Sequence, residues 1–304
     1  MSATRSGYSL ARRIALHTVA AAARRLDRAL VARNAYSPVP EILDEAVWDR
    51  KSSLAGVRFN TGDQLAFLES SLETYLHEFT PPRETVPGGG FYVWNSYYQA
   101  VDAEVLYAMV RHLKPSRILE VGSGFSTLVS AAACVRNARE GRPAELVAVD
   151  PAPRVTLPIT VDGLARVERR SAEDLPLDRY LELETDDILF VDSSHIVKLG
   201  GEVNYLVLEV LPRLRPGVVV HFHDIFLPDE YPRAFYDMAM YLSEQYLLHA
   251  FPIGNDDYEI VFAAHAVVQA HRERVSELIP SLREHPDHHP AAFWLKRRER
   301  PASR

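Results

Sequence analysis

Apolar residues along this chain recur with two different periods, and the change comes near residue 100. Upstream, "GDQLAFLESSLETYLHEF" spaces its apolar positions at helical intervals behind an aspartate, which predicts a helix. Ahead of it, "GYSLARRIALHTVAAAARRLDRALVARN" predicts one amphipathic helix, separated by a break at "YSPVP". Downstream the period shortens. Near-continuous apolar runs predict strands at about 117–121, 145–149, 165–169, 188–192 and 217–222, with helices at about 101–113, 125–136 and 200–213. Two further strands are expected near 246–251 and 258–263, flanking the turn "IGNDD". This alternation predicts an α/β fold, doubly wound around a mostly parallel seven-stranded sheet, with an antiparallel element at its close. Residues 1–100 form an N-terminal helical extension ending in a Pro/Gly and aromatic loop, 101–264 the sheet domain, and 265–304 a C-terminal helix and polar surface tail.

Composition narrows the class. With 47% hydrophobic and 25% charged residues, the 304-residue chain reads as a soluble globular protein. No stretch reaches the ~20 apolar residues of a membrane span. The net charge of −7 is uneven: residues 1–34 hold seven Arg against one Asp, +6, leaving −7 − 6 = −13 on the remainder. An acidic body argues against nucleic acid as the partner. The basic N-terminal helix suits packing on the body, a homodimer contact, or an anionic membrane surface. The single cysteine, Cys134, excludes an internal disulfide, sits in the apolar "VSAAACV" as a buried inert thiol, and points to a cytoplasmic location.

The chemistry gathers at strand ends. "RILEVGSGFSTLVSAAA" runs an apolar strand into Glu120, then Gly122, Ser123 and Gly124, then a helix. A dinucleotide loop needs a third glycine, absent here, and Glu120 is awkward beside a pyrophosphate but apt beside a cation. "ELVAVD" places Asp150 at the tip of the next strand, where an acid accepts hydrogen bonds from a ribose diol, whether of NAD or of an S-adenosyl group. "RRSAEDLP" brings Ala172 and Glu173 beyond the third strand, or else forms a helix cap from Ser171 and Asp174.

Four of these stretches, "ILEVGSGFST", "VAVD", "DILFVDSSH" and "LRPGVVVHFHD", resemble in order and spacing the motifs of class I S-adenosylmethionine-dependent methyltransferases. The wording of 188–232 is closest to the small-molecule O-methyltransferases that include macrolide-sugar enzymes. The resemblance covers about 101–264. It implies a Rossmann-like methyltransferase fold binding S-adenosylmethionine: Gly122, Ser123 and Gly124 approach the methionine part, Glu120 stands near its ammonium, Asp150 holds the ribose, Ala172 and Glu173 border the adenine, and Asp192 lies near the transferred methyl. The partner implied is a small-molecule acceptor, such as a sugar.

Methyl transfer to oxygen requires a positioned acceptor and a route for its proton. His195, beside Asp192, is the preferred base, because an unperturbed imidazole titrates near neutrality (about 6.5); the alternative is a cap on the following helix. In metal-dependent relatives the ligands are an acid after strand four and a polar pair after strand five, here Asp192, His223 and Asp224. His223 brings nitrogen to a set that is usually all oxygen; Mg and Ca prefer oxygen, whereas Mn, Fe, Zn or Ni accept imidazole, so the expected ion is Mg, Mn or Fe. His221, two residues earlier on the same face, is expected in the core. "GGGFYVWNSYYQ" is either packing or a glycine-hinged lid, with Asn95 a candidate contact. A metal-dependent hydroxylase on the same fold and a non-catalytic binding or scaffold module are the alternative readings.

Overall fold

The central apolar runs become strands because they are buried on both faces. In the computed structural model, which describes residues 37–299 apart from 43, 86, 88, 154, 156 and 159, together with Thr18, Val19, Ala23 and Arg25, the strands are β1 (Arg117–Val121), β2 (Glu145–Val149), β3 (Arg166–Glu168), β4 (Ile188–Val191), β5 (Val219–Phe222), β6 (Tyr258–Ala263) and β7 (Phe293–Arg297). The helices are α1 (Thr61–Phe67), running through a π-turn at Leu68–Leu72 into α2 (Glu73–Glu78), then α3 (Asp102–Leu113), α4 (Phe125–Arg139), α5 (Leu177–Leu181), α6 (Glu202–Tyr205), α7 (Arg233–Asp237), α8 (Glu244–Ala250) and α9 (Ala264–Leu278). The predicted N-terminal basic helix lies outside the described residues, save for those four positions. The chain divides into two units, Met1–Glu45 and Ala46–Arg304; all that follows concerns the second.

The sheet order is β3-β2-β1-β4-β5-β7-β6, parallel except for β7, which is antiparallel to both neighbours. This is the seven-stranded, doubly wound sheet expected of a Rossmann-like methyltransferase fold. Alternate strand residues feed opposite cores: Ile118, Ile188, Phe190 and Trp294 join the layer of α3, α4 and α9, while Leu119, Val121, Leu189 and Val191 join the other. The order reverses between β1 and β4, so the crevice beyond their carboxyl ends is where such folds take ligands.

Two expectations need correction. Residues 246–251 are not a strand but lie in and beside α8, whose polar first turn carries the fully buried Glu244. The C-terminal stretch is not a polar surface tail: Phe293–Arg297 is β7, and Trp294 is fully buried against His221, with ring centroids 4.7 Å apart. Its pairing with β5 and β6 supplies the burial that its basic neighbours hide in the sequence.

Candidate active site

At the end of β1 the chain must pass close under β4. Gly122 adopts φ +103°, and a Cβ there would lie 2.1 Å from the Asp192 carbonyl oxygen. Glycine is therefore obligatory at that position whatever the turn binds. Gly124 differs: a Cβ would meet only Val155, at an ordinary 3.5 Å, so packing gives no reason for a glycine there. Its amide donates to Thr127 Oγ1 at 2.9 Å, closing the start of α4. Ser123 Oγ donates to Asp150 Oδ2 and the Ala152 amide to Asp150 Oδ1, both at 2.8 Å, tying the turn to the tip of β2.

Glu120 is the unusual member of this group. It is buried, and its Oε1 accepts from Ser126 Oγ at 2.6 Å, while Oε2 is buried without a partner. Burial, reinforced by the charges of Asp192 and Asp150, pushes its carboxyl up to about 8. Beyond β3, Ala172 is buried with its carbonyl accepting from Tyr180 Oη at 2.8 Å, and Glu173 is exposed. The Ser171 cap box does not form: Asp174 donates its amide to the Ser171 carbonyl, and the Ser171 side chain makes no cap bond.

The ends of β4 and β5 carry a different arrangement. Asp192, His195, His223 and Asp224 converge: His195 Nε2 is 3.1 Å from Asp192 Oδ1 and 3.5 Å from Asp224 Oδ2. His223 Nδ1 is 3.7 Å from both Asp192 Oδ1 and Asp224 Oδ1. His195 and Asp224 both sit at φ +57°, a left-handed conformation that costs about 1–2 kcal/mol each for a residue with a Cβ. Each imidazole has a carboxylate behind it as well. Glu244 Oε2 stands 2.9 Å from His195 Nδ1, and Asp102 Oδ2 stands 3.4 Å from His223 Nε2.

These contacts decide the charges. Burial alone would lower His195, but its bonds to Asp192 and Glu244 outweigh it and hold the imidazole well above its usual value. Asp192 and Asp224 do the same for His223. Burial would raise the Asp192 carboxyl; the two imidazoles instead hold it well below the carboxylate range. His195 is thus an imidazolium at neutral pH in the free protein, so its unperturbed titration is no longer the argument for a base. His221 is neutral and fully buried, stacked on Phe190 at 4.0 Å.

Asp102 and Glu244 are the two residues that sequence reasoning missed. An acid in a helix's first turn, which both are, is an everyday complement to the helix dipole and carries no signal of its own. Asn95 is spent on backbone: its side chain donates to the Tyr92 and Tyr98 carbonyls and accepts from the Tyr97 and Tyr98 amides. The aromatic loop both packs and reaches the site. Tyr98 is buried with its ring 4.8 Å from that of His223, whereas Tyr97, 60% exposed, stacks on Phe125 at the start of α4. Trp94 Nε1 and Arg83 Nε both donate to Glu284, fastening the loop to the C-terminal segment. Cys134 is buried and its thiol is pushed up to about 12 by burial.

A cavity of about 860 Å³ lies elsewhere, at the amino ends of the parallel strands, with Phe67, Met109, Leu113 and Val219 among its walls. None of the strand-end residues above lines it, and its cations are paired: Arg58 with Asp256, Arg298 with Glu259 and Lys296 with Asp186, at 2.9–3.1 Å. The crevice at the carboxyl ends, where Glu120 and the His195 and His223 cluster lie, is therefore the candidate site.

As to a metal, among the described residues no three His, Cys, Asp or Glu side chains already stand as a ligand set. Neighbouring donors on one dication stand roughly 3.0–3.4 Å apart for bonds of about 2.1 Å. At 3.7 Å from His223 Nδ1, Asp192 and Asp224 stand wider than that, so the three do not form a ready ligand set.

The fold and the strand-end constellation define a doubly wound, Rossmann-like domain. Residues 119–225 match the family model of a methyltransferase domain, and the match runs from β1 to just past Asp224. An uncharacterized protein of Archaeoglobus fulgidus is 30% identical over 105 residues, 31% of this chain and 47% of that one; the chain spans about half the length of this curated relative. Among solved structures, similarity extends to apo CmcI (14% identity, 69% of this chain and 77% of that one, TM-score 0.39) and to an O-methyltransferase from Bacillus cereus in complex with SAH (16%, 77% and 91%, 0.35). It extends also to MycE of the mycinamycin biosynthetic pathway in complex with Mg and SAH (14%, 62% and 47%, 0.29).

Proposed function

We propose that this chain is an S-adenosylmethionine-dependent O-methyltransferase acting on a hydroxyl of a small, polyhydroxylated molecule such as a sugar. The observation that carries the reading is Glu120 Oε2, a buried carboxylate oxygen without a partner beside the glycine turn of a methyltransferase domain. A buried polar atom of that kind costs about 1–3 kcal/mol unless something meets it, and the ammonium of a methionine moiety has the charge to do so. Gly122, Ser123 and Gly124 would frame that moiety, Asp150 would receive the ribose diol, and Ala172 and Glu173 would border the adenine. Bound there, S-adenosylmethionine supplies an electrophilic methyl group on a sulfonium.

The protein's own task is then orientation and proton removal. His195 turns Nε2 toward Asp192 and Asp224; once its proton has left to solvent, the lone pair there would accept the hydroxyl proton of an acceptor placed beside it. Asp192 and Asp224 stabilise the imidazolium so formed, and Glu244 fixes the ring from behind, as an orienting carboxylate does in a nucleophile–histidine triad. Asp192, His223 and Asp224 would have to close in to hold a divalent ion (Mn, Fe or Mg), which would acidify the same hydroxyl. The two routes put the acceptor in the same place.

Calorimetric titration with S-adenosylhomocysteine and, separately, NADH tests the reading. Binding of the first and not the second is expected. Binding of NADH alone would make the crevice a dinucleotide site, and binding of neither would leave a scaffold domain.

A further inference from the structure

We propose that Tyr97 is a cofactor-selecting residue whose open ring face takes the sulfonium of S-adenosylmethionine, so that the crevice tells the charged methyl donor from its neutral product. The inference rests on the methyltransferase function above. Methyl transfer converts a sulfonium cation into a neutral thioether, and a cation is what the face of an aromatic ring attracts. Of the aromatic residues in the loop, Phe91, Tyr92, Trp94 and Tyr98 are buried or half-buried, and Tyr97 alone is exposed.

The loop holds that ring in place. Buried Asn95 accepts the amides of Tyr97, at 2.9 Å, and Tyr98, at 2.8 Å, on its Oδ1, and Ser96 between them takes the left-handed conformation, φ +68°. The two consecutive tyrosines go to different partners. Tyr98 packs inward with its ring 4.8 Å from that of His223, at the end of β5. Tyr97 lays one face on Phe125, with 6.1 Å between centroids and 25° between planes. Phe125 directly follows Gly124, so the pair spans from the glycine turn, which frames the methionine part, to the strand ends, where the acceptor is placed. The sulfonium belongs between those two positions, because it carries the methyl group that passes from one to the other. The second face of Tyr97 is the one left open. Elsewhere the protein covers such faces with its own cations: Arg111 lies 5.3 Å from the ring centre of Tyr75 and Arg297 5.1 Å from that of Tyr258. Among the described residues no cation stands over Tyr97, and its hydroxyl makes no hydrogen bond, so the ring is all it offers.

The experiment is a calorimetric titration of the whole protein, without acceptor, with S-adenosylmethionine and with S-adenosylhomocysteine, in wild type, Tyr97→Phe and Tyr97→Leu. The quantity compared is the ratio of the two affinities. The acids of the crevice also favour the cation, but they are common to all three proteins, so a change in the ratio isolates the ring. Tyr97→Leu is expected to shift the ratio against S-adenosylmethionine by roughly 3–30-fold, the range from an exposed to a desolvated cation–ring contact, with S-adenosylhomocysteine affinity unchanged. Tyr97→Phe, which keeps the ring, is expected to keep the wild-type ratio. A wild-type ratio in Tyr97→Leu, an equal loss of both ligands there, or a ratio lost in Tyr97→Phe as well would overturn the proposal and leave the methyltransferase reading standing. Binding of neither ligand by wild type would overturn that reading and the proposal with it. Should Tyr97→Leu not fold, NMR of wild type holding S-adenosylmethionine labelled with ¹³C at its methyl group decides the point. A methyl resonance moved upfield by the ring current is expected, and an unmoved one would contradict the contact.

Discussion

At the β1 end of the crevice Glu120 keeps one oxygen buried and unpartnered, whereas at the β4 and β5 ends Asp192, Asp224, His195 and His223 hold one another at 3.1–3.7 Å. The first half is incomplete without a ligand and carries the cost of an unmet polar atom. The second is held together chiefly by its own members, with Asp102 and Glu244 behind them, although Glu244 Oε1 is also buried without a partner. A cofactor half of this kind selects by charge; an acceptor half of this kind selects by fixed geometry.

The two glycines of the turn give the sharpest contrast. Gly122→Ala drives a Cβ into the Asp192 carbonyl at φ +103°, so a loss of about 3 kcal/mol is expected, roughly 6–12 °C in melting temperature for a domain of this size. Gly124→Ala should melt like wild type yet bind S-adenosylhomocysteine less well; equal affinity would show that nothing approaches that backbone. Next in size, Glu120→Gln should lose on the order of 10–100-fold in S-adenosylhomocysteine affinity, the worth of a hydrogen bond to a charged group (about 1.5–3 kcal/mol). Its melting temperature at pH 7 should hold, since the amide replaces a carboxyl that is already mostly protonated there, with its pKa pushed up to about 8 by burial. A fall in stability with intact binding would make Glu120 structural. Smaller still, Asp150→Asn should cost roughly tenfold in the same titration, about 1.4 kcal/mol; unchanged affinity would remove the ribose assignment and leave Asp150 as the anchor of Ser123.

The sequence showed the cofactor half better than the acceptor half, for a physical reason. Strands β1 and β2 have the predicted bounds because both are apolar runs closed by turn residues, and the motif residues of the turn follow them locally. The acceptor half is assembled from distant segments. Glu244 lies 49 residues from the His195 it orients, in "SEQYLLHAF", a short, mostly apolar stretch that has no period to tell strand from helix. Asp102 meets β7 through Ala291 and Ala292, 189 and 190 residues away. β7 itself hides between a histidine-rich stretch and a basic end, since its burial comes from β5 and β6. The charge of His195 was illegible for the same reason: it depends on three carboxylates, two of them remote in sequence.

The central claim, that Glu120 awaits the ammonium of an S-adenosyl ligand, has a direct thermodynamic signature. With its carboxyl pushed up to about 8, Glu120 is mostly protonated at pH 7 in the free protein. A cation docking on Oε2 favours the ionised form, so the proton must leave on binding and affinity must improve as pH rises toward that value. Calorimetric titration with S-adenosylhomocysteine at pH 7, in buffers of different ionisation enthalpy, counts that proton. Close to one proton released by wild type and none by Glu120→Gln is the predicted result. Binding with no proton released by either would contradict it.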